Sequence, residues 1–514
     1  MLSMTQVSRS TVGASTLARD EAKNFTAAVR QFHTMALRKW IVLLAALLPA
    51  SPACAAVSIS LSATENMSCS AGVCVPTAKD AVLNAGDLET LLASGSVEVT
   101  TTGNGVQAGN LDVNAAVSWT VSSTLTLDAY GSITVEQPLS VGGVSGVSLV
   151  TNDGGTGGLL LFLGKGDTTF ANLSSGLSIN GSTYTLVGTL PDLAAAIAAN
   201  PSGSYGLANS YDASRDRAYS NAPIPTAFTG NFNGLGNTIS NLRIRDKAQY
   251  NGVNDALFSV IGTGGTVASI GVVNADIVAD GNYVAGIAGI NDGTVTNAWT
   301  SGSFEERSNN TTWPAAGLVD WNFGGTVMLS HADAEVTVVS PQNSAAGLVG
   351  DSTGSIVGCY ATGSVAVTER GGAGGLAGGN SGTIEDSYAI VSVKGREGAG
   401  VGGLIGANDG APIARAYSAG AVRDRLDKLH QGYKGGFVGD DSAHAGSMTD
   451  AYWDTTTSGQ RHGAGFPKDD PGITGMTTAQ LQSGLPKGFD PKVWAEDAKI
   501  NGGLPYLIDN PPQK

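Results

Sequence analysis

Residues 402–422 read GGLIGANDGAPIARAYSAGAV, and twenty-eight positions earlier residues 374–393 read GGLAGGNSGTIEDSYAIVSV. The same phrase order is written twice at a fixed interval, which is the mark of a repeat architecture. The first phrase is a small residue, Gly, two apolar residues and usually a second Gly. It recurs at Ala285–Gly289, Ala316–Asp320, Ala346–Gly350, Gly374–Gly378, Gly402–Gly406 and Gly435–Gly439. A second phrase follows (Gly293-Thr294-Val295, Gly325-Thr326-Val327, Gly354-Ser355-Ile356, Gly382-Thr383-Ile384). A third closes most copies: AWTSGSF, CYATGSV, SYAIVSV and AYSAGAV.

Each unit therefore carries three apolar pieces of about four residues, and four residues of strand reach about 13 Å. None of the pieces sustains a helical period. Such a unit cannot bury its apolar side alone. Stacked in register, each strand pairs with its equivalent one coil away, about 4.8 Å off. The spacing predicts an all-β chain, a right-handed parallel β-helix in which Leu, Ile and Val stack inward. Asn291, Asn380 and Asn408 fall at turns, where Asn accepts left-handed geometry and is able to form a hydrogen-bonded ladder.

Composition agrees. The 514 residues include 72 Gly, 42% are apolar and only 14% are charged, which suits many short strands between Gly-rich turns. Residues 97–190 alternate apolar and polar at period two and read as less regular coils of the same solenoid. PDLAAAIAAN (191–200) breaks that alternation and predicts a short helix with Pro in its first turn. The expected organisation is an N-terminal cap over 57–90, irregular coils over 91–255 with a lateral excursion near 190–227, the regular array over 256–460, and a C-terminal cap or tail over 461–514.

The first 56 residues stand apart. MALRKWIVLLAALLPASPACAA from Met35 has a basic start, a short apolar run over Trp40–Leu48 and a small-x-small site at Ala53-Cys54-Ala55. That is the pattern of a secretory signal, too short to span a bilayer. Residues 1–34 read as a leader extension or an early start. The first 56 residues hold six bases and two acids, so the remainder carries 22 bases against 41 acids, a net charge of −19. Such a surface repels nucleic acid and anionic membranes, and no later stretch is long and apolar enough for a spanning helix. Export also suits a disulfide between Cys69 and Cys74 in CSAGVC. Cys359 replaces Ala298, Ser387 and Ala416 at one repeat position and reads as a small buried filler.

The phrase GGLVGxNxGxIxxxYAxGxV over 256–450 resembles the GLUG motif of large bacterial surface proteins. TLTLDAYGSITVEQPLSV resembles the repeat region of filamentous-haemagglutinin-like exoproteins. FNGLGNTISNLRI and the ending YWDTTTSGQ…NGGLPYL resemble segments that bracket GLUG arrays. The resemblance implies an adhesin-like protein, secreted or on the outer cell surface of a bacterium, with a host or environmental glycan or matrix protein as partner. No Asn-Pro motif of a haemagglutination domain lies in 57–110, and no barrel segment follows, which departs from the usual export routes of the family.

Parallel β-helices also carry polysaccharide lyases and hydrolases, so a carbohydrate-active enzyme is the alternative. Glycoside hydrolysis needs two placed carboxylates. Asp440-Asp441 would supply the acid and His462 a helper, but Asp440-Asp441 occupies a turn position that is polar in most copies. Residues 152–158 lack acids at a nine-residue period, and the histidines lack metal-ligand spacing, so neither metal nor cofactor is expected. Trp299, Tyr360, Tyr388, Tyr417 and Tyr452 recur at one repeat position. They form either a packing ladder or an exposed binding stripe.

Overall fold

The computed structural model describes residues 56–512, apart from 249–251, 309–312, 340–342, 369–370, 397–399, 426–432, 442–446 and 469. The signal and leader segments expected over 1–56 thus lie almost wholly outside the described residues. Strand accounts for 49% of the chain and helix for 8%, arranged as a solenoid of about 13 turns, so the molecule is an all-β parallel β-helix.

The repeat phrases map onto the coils in order. The first phrase gives two short strands around a tight corner at Gly-Leu, as in Ala345–Ala346 and Val349–Ser352. The second gives Ser355–Val357 and the third Tyr360–Val367. The third strand is eight residues long, twice the expected length. Strands Phe258–Ile261, Ala288–Asn291, Val319–Asn322, Val349–Ser352, Ala377–Asn380, Ile405–Asn408, Val438–Asp440 and Ala464–Phe466 stack into one eight-stranded parallel sheet.

Backbone chemistry explains the invariant Gly of the first phrase. A Cβ placed on Gly317 would lie 2.2 Å from the carbonyl oxygen of Gly347, and one on Gly375 would lie 2.1 Å from that of Gly403. Successive coils touch backbone to backbone here, so only a residue without a side chain fits. The next residue points inward. Leu318, Leu348, Leu376, Leu404 and Phe437 are fully buried, each contributing about 1.5–3 kcal/mol of burial. Leu318 N donates to Leu348 O at 3.0 Å, Leu348 N to Leu376 O at 3.1 Å, and Leu376 N to Leu404 O at 2.8 Å.

The expected polar ladder forms, but not in left-handed geometry. Asn291 Nδ2 donates to Asn322 Oδ1 at 2.8 Å, Asn380 Nδ2 to Asn408 Oδ1 at 2.9 Å, and Asn408 Nδ2 to Asp441 Oδ1 at 3.0 Å. These residues end strands with ordinary negative φ. The left-handed corner lies between the second and third phrases, at Ser269, Asn297, Leu329, Gly358, Asp386, Arg415 and Asp450, with φ between 46° and 64°. Its occupants vary because hydrogen bonding and packing around the coil over-determine the turn.

Two helices flank the coils. Helix α1 (Ala85–Ser94) is capped by Asn84, whose side chain accepts from Gly86 N at 2.9 Å, and it buries Leu88 and Leu92. Helix α2 (Leu190–Ala199) is capped by Thr189, starts with Pro191 in its first turn, and buries Leu193 and Ile197. α2 lies where one core cluster gives way to the next: the first runs from Val57 to Leu186 and takes in Ala208 and Leu235, and the other runs from Val187 to Ala464.

The C-terminal segment completes the array and then reverses. Ala464–Phe466 and Ile473–Met476 pair with Val438–Asp440 and Met448–Asp454 as a last partial coil. From Thr477 the chain runs back along the flank. Asn510 reaches Ser330 O and Gly358 O, at 3.1 and 3.0 Å.

Candidate functional site

The sequence-predicted stripe is assembled but not exposed. Trp299, His331, Tyr360, Tyr388, Tyr417 and Tyr452 are successive register partners. The rings of His331, Tyr360, Tyr388 and Tyr417 stack at 4.5, 4.9 and 5.0 Å between centroids, within 7° of parallel. Tyr360, Tyr388, Tyr417 and Tyr452 are all buried, because the returning C-terminal segment lays Leu481, Phe489, Trp494, Leu504 and Leu507 over them. Tyr417 Oη donates to Pro505 O and Tyr452 Oη to Lys487 O, both at 2.7 Å. The tyrosines are thus a packing ladder on the outside of the coil, with Trp299 half-buried at its end. His331 was not recognised as a member, although it stands between Trp299 and Tyr360 in the repeat. Burial depresses its imidazole to about 4, so the ring is neutral in the stack.

Of the enzyme candidates, Asp440 and His462 line separate cavities, and Asp441 is linked to the His462 cavity only through Asp470. Asp440 and Asp441 are neighbours on a strand end, so their side chains face opposite ways. Asp440 faces outward. Asp441 is fully buried, receives Asn408 Nδ2, and packs against Asp470. Burial, then the neighbouring carboxyl, pushes Asp441 up to about 6. His462 lines a different cavity of about 300 Å³ with Trp453, Arg461, Lys468 and Asp470. Cys69 and Cys74 are disulfide-bonded across a hairpin of Met67–Ser70 with Val73–Pro76. Cys359 is buried, and burial raises its thiol to about 12, so it is inert. Among the described residues no group of three His, Cys, Asp or Glu side chains is placed to hold a metal ion, and no helix is long and apolar enough to cross a membrane.

A different outward row carries the features of a binding surface. On the eight-stranded sheet, Trp321 pairs with Asp351, Asp351 with Gly379, Gly379 with Ala407, Ala407 with Asp440, and Asp440 with Phe466. Five coil steps make a row about 24 Å long. Its centre is a groove of about 280 Å³ lined by Asp351, Thr353, Gly379, Ser381, Ala407, Asp409 and Asp440, among others. Gly379 and Ala407 keep the floor low between the two acids.

Aromatic rings stand at both ends. Tyr283 meets Trp313 edge-on at 4.7 Å, Trp321 lies 5.8 Å from Tyr283, and Phe323 lies 4.8 Å from Trp321. Phe323 is 52% exposed. At the far end Tyr433 and Phe466 stack at 4.9 Å and are 39% and 46% exposed. Clustered large rings left in water mark an interaction surface more than a single exposed ring such as Tyr130 does. Burial pushes the half-buried Asp351 up to about 6. Sequence reading passed over this row because its aromatic members are not repeated. Trp321 takes the place of Ile290 in one neighbouring coil and Asp351 in the other, and that departure was the available signal.

No protein-family model and no curated protein matches the chain. Among solved structures, the chain is similar to one described as a "putative immunoglobulin A1 protease" from Bacteroides ovatus. That likeness has a TM-score of 0.42 and 14% identity, and covers 64% of this chain and 93% of the other. A likeness at that level says nothing about activity.

Proposed function

We propose that the chain is an exported, adhesin-like attachment protein, and that its β-helix binds an extended glycan along the Trp321–Phe466 row without cleaving it. The observation that carries this reading is the unbroken outward register from Trp321 to Phe466, with aromatic rings at both ends and polar groups between. Flat rings offer apolar faces to sugar rings, and small polar residues between them leave room for hydroxyls to be hydrogen-bonded. The bonded cysteine pair supports export, and the resemblance to GLUG-containing surface proteins supports attachment. Binding without cleavage is supported by distance. The two acids of the row itself, Asp351 and Asp440, are three coils apart, about 14 Å, beyond the roughly 5–9.5 Å between paired glycosidase carboxylates, and the third acid of the groove, Asp409, is exposed.

The test is a glycan and matrix array probed with the purified protein and its Trp321→Ala variant, with reducing ends assayed in the same wells. Binding that the variant loses, with no sugar released, is the expected result. One observation favours a carbohydrate-active enzyme instead: the buried Asp441–Asp470 carboxyl contact beside the His462 cavity. Released oligosaccharide that disappears in Asp470→Asn would establish that reading and overturn the one proposed here.

A further inference from the structure

We infer that Asp255 and Asn282, with the charge of Asp246 beside them, form the protein side of a buried calcium-type cation site at the entry to the regular array. Neither acid belongs to the repeat. Asp255 pairs with Val284, which pairs in turn with Ala315, and Asp246 pairs with Ala279. Two carboxylates thus stand at heights where the next coil is apolar. All three side chains are buried, Asp255 and Asn282 completely. Asn282 Nδ2 donates to Asp246 Oδ2 at 3.0 Å, and Ala248 N to Asp246 Oδ1 at 2.7 Å. Asp255 feels both the Asp246 charge and the Asn282 amide. Yet among the described residues neither carboxylate oxygen of Asp255 has a hydrogen-bond partner, and Oδ1 of Asn282 has none either.

The orphan oxygens call for a cation. A buried charge is costly unless it is paired or bound to a metal. Three unpartnered oxygens beside a second carboxylate match the all-oxygen sets that hard cations take. Calcium accepts an irregular shell of oxygens, completed by main-chain carbonyls or water, whereas magnesium demands a near-ideal octahedron. The backbone around the set is already fixed. Asp255 N donates to Tyr283 O at 2.8 Å, Ala285 N to Asp255 O at 3.1 Å, and Val284 N to Asp320 Oδ2 at 2.9 Å. Asp246 ends the strand Arg243–Asp246 of one coil, Asp255 opens the next, and Asn282 opens the one after. An ion held among them ties three successive passes of the chain and steadies the segment that carries Tyr283 against Trp321.

The test is thermal unfolding of the full chain, followed by circular dichroism in chelator, in calcium and in magnesium, with calcium binding measured by calorimetry. Calcium should raise the midpoint, and more than magnesium does, because an ion that binds only the folded state stabilises it. Asp255→Asn removes a buried charge and keeps the shape, so it should fold in chelator. Its calcium affinity should fall at least about tenfold. Glu335→Gln, at an exposed position of strand His331–Val338, controls for calcium held by surface acids and should keep the full response. Calcium should also slow hydrogen exchange at the amides of Asp255 and Val284 in the wild type but not in Asp255→Asn. An undiminished calcium response in Asp255→Asn would put the ion on other acids and overturn the site. No response in the wild type would leave Asp255 with a proton and overturn it equally. A magnesium response as large as that of calcium would overturn the calcium assignment. No sugar is present, so every outcome leaves the attachment reading where it stands.

Discussion

Trp494 holds the returning C-terminal segment, and its removal should open that segment without unfolding the coils. The side chain is 1% exposed and packs on the tyrosine ladder at 6.0 Å from both Tyr388 and Tyr417, with Phe489 at 4.4 Å. Its Nε1 donates to Asp386 Oδ1 at 2.9 Å. Replacing Trp by Ala in such a setting costs about 3–5 kcal/mol. In a solenoid, stability is a sum of local terms, so the cost falls on the unit that Trp494 holds. The opening equilibrium of 477–511 should rise by about two to four orders of magnitude. Asp386 keeps its two contacts to Arg415, at 2.8 and 2.9 Å. Trp494→Phe, which loses the N–H and part of the ring but keeps an aromatic face on the ladder, should cost less than Trp494→Ala, about 2–3 kcal/mol. Native-state hydrogen exchange reads both. The amides of Trp494 and Ile508, bonded to Asp490 O and Val493 O at 2.8 and 2.9 Å, should lose protection in Trp494→Ala. Amides of the first coils, such as Leu111 and Leu125, should not. Uniform loss along the chain, or none in 477–511, would refute the view of the segment as a separately held strap.

Three further outcomes follow from the same geometry. Burial, then the charge of Asp246, pushes Asp255 up to about 8. The folded state thus binds its proton more tightly than the unfolded chain, and this stabilisation is present below about pH 4 and lost as pH rises toward 8. Unfolding free energies from urea titrations should fall across that window, by at most a few kcal/mol, and less steeply in Asp255→Asn; equal slopes would be the contrary result. Asn408→Ala removes donors to Ala411 O, Asp441 Oδ1 and Ser447 Oγ, at 3.1, 3.0 and 3.1 Å. It should destabilise by about 2–4 kcal/mol, read as a lower urea midpoint, whereas an unchanged midpoint would mean the ladder is dispensable. Gly375→Ala sets a methyl 2.1 Å from Gly403 O. Adjacent coils must then separate, at a cost of about 3 kcal/mol, and thermal unfolding by circular dichroism would show it; a wild-type transition would refute the close approach.

The coil was legible because a solenoid is a local code. Each phrase meets its own copy one coil away, so period alone determines which residue types stack, and the Leu318–Phe437 row, the Asn408–Asp441 ladder and the tyrosine stack all follow from alignment of the phrases. The length of the third strand was not legible, because strands are bounded by corners, and Asp386 or Arg415 in left-handed geometry does not announce itself as Gly would. Polar positions were legible as turns, but period two then turned Asp440 and Asp441 apart, which no motif predicts.

What the sequence by itself determined, then, is the stacking: six copies of one phrase impose the same side chain at the same height on the same face. Only the tertiary structure decided which face meets water. The path of residues 477–511 is not written in any repeat, and by lying over Tyr360–Tyr452 it turned the evident aromatic stripe into a core. Trp321 and Phe466 lie 145 residues apart and belong to no shared pattern. They stand at the two ends of one row because parallel coils in register bring non-repeated residues into one line.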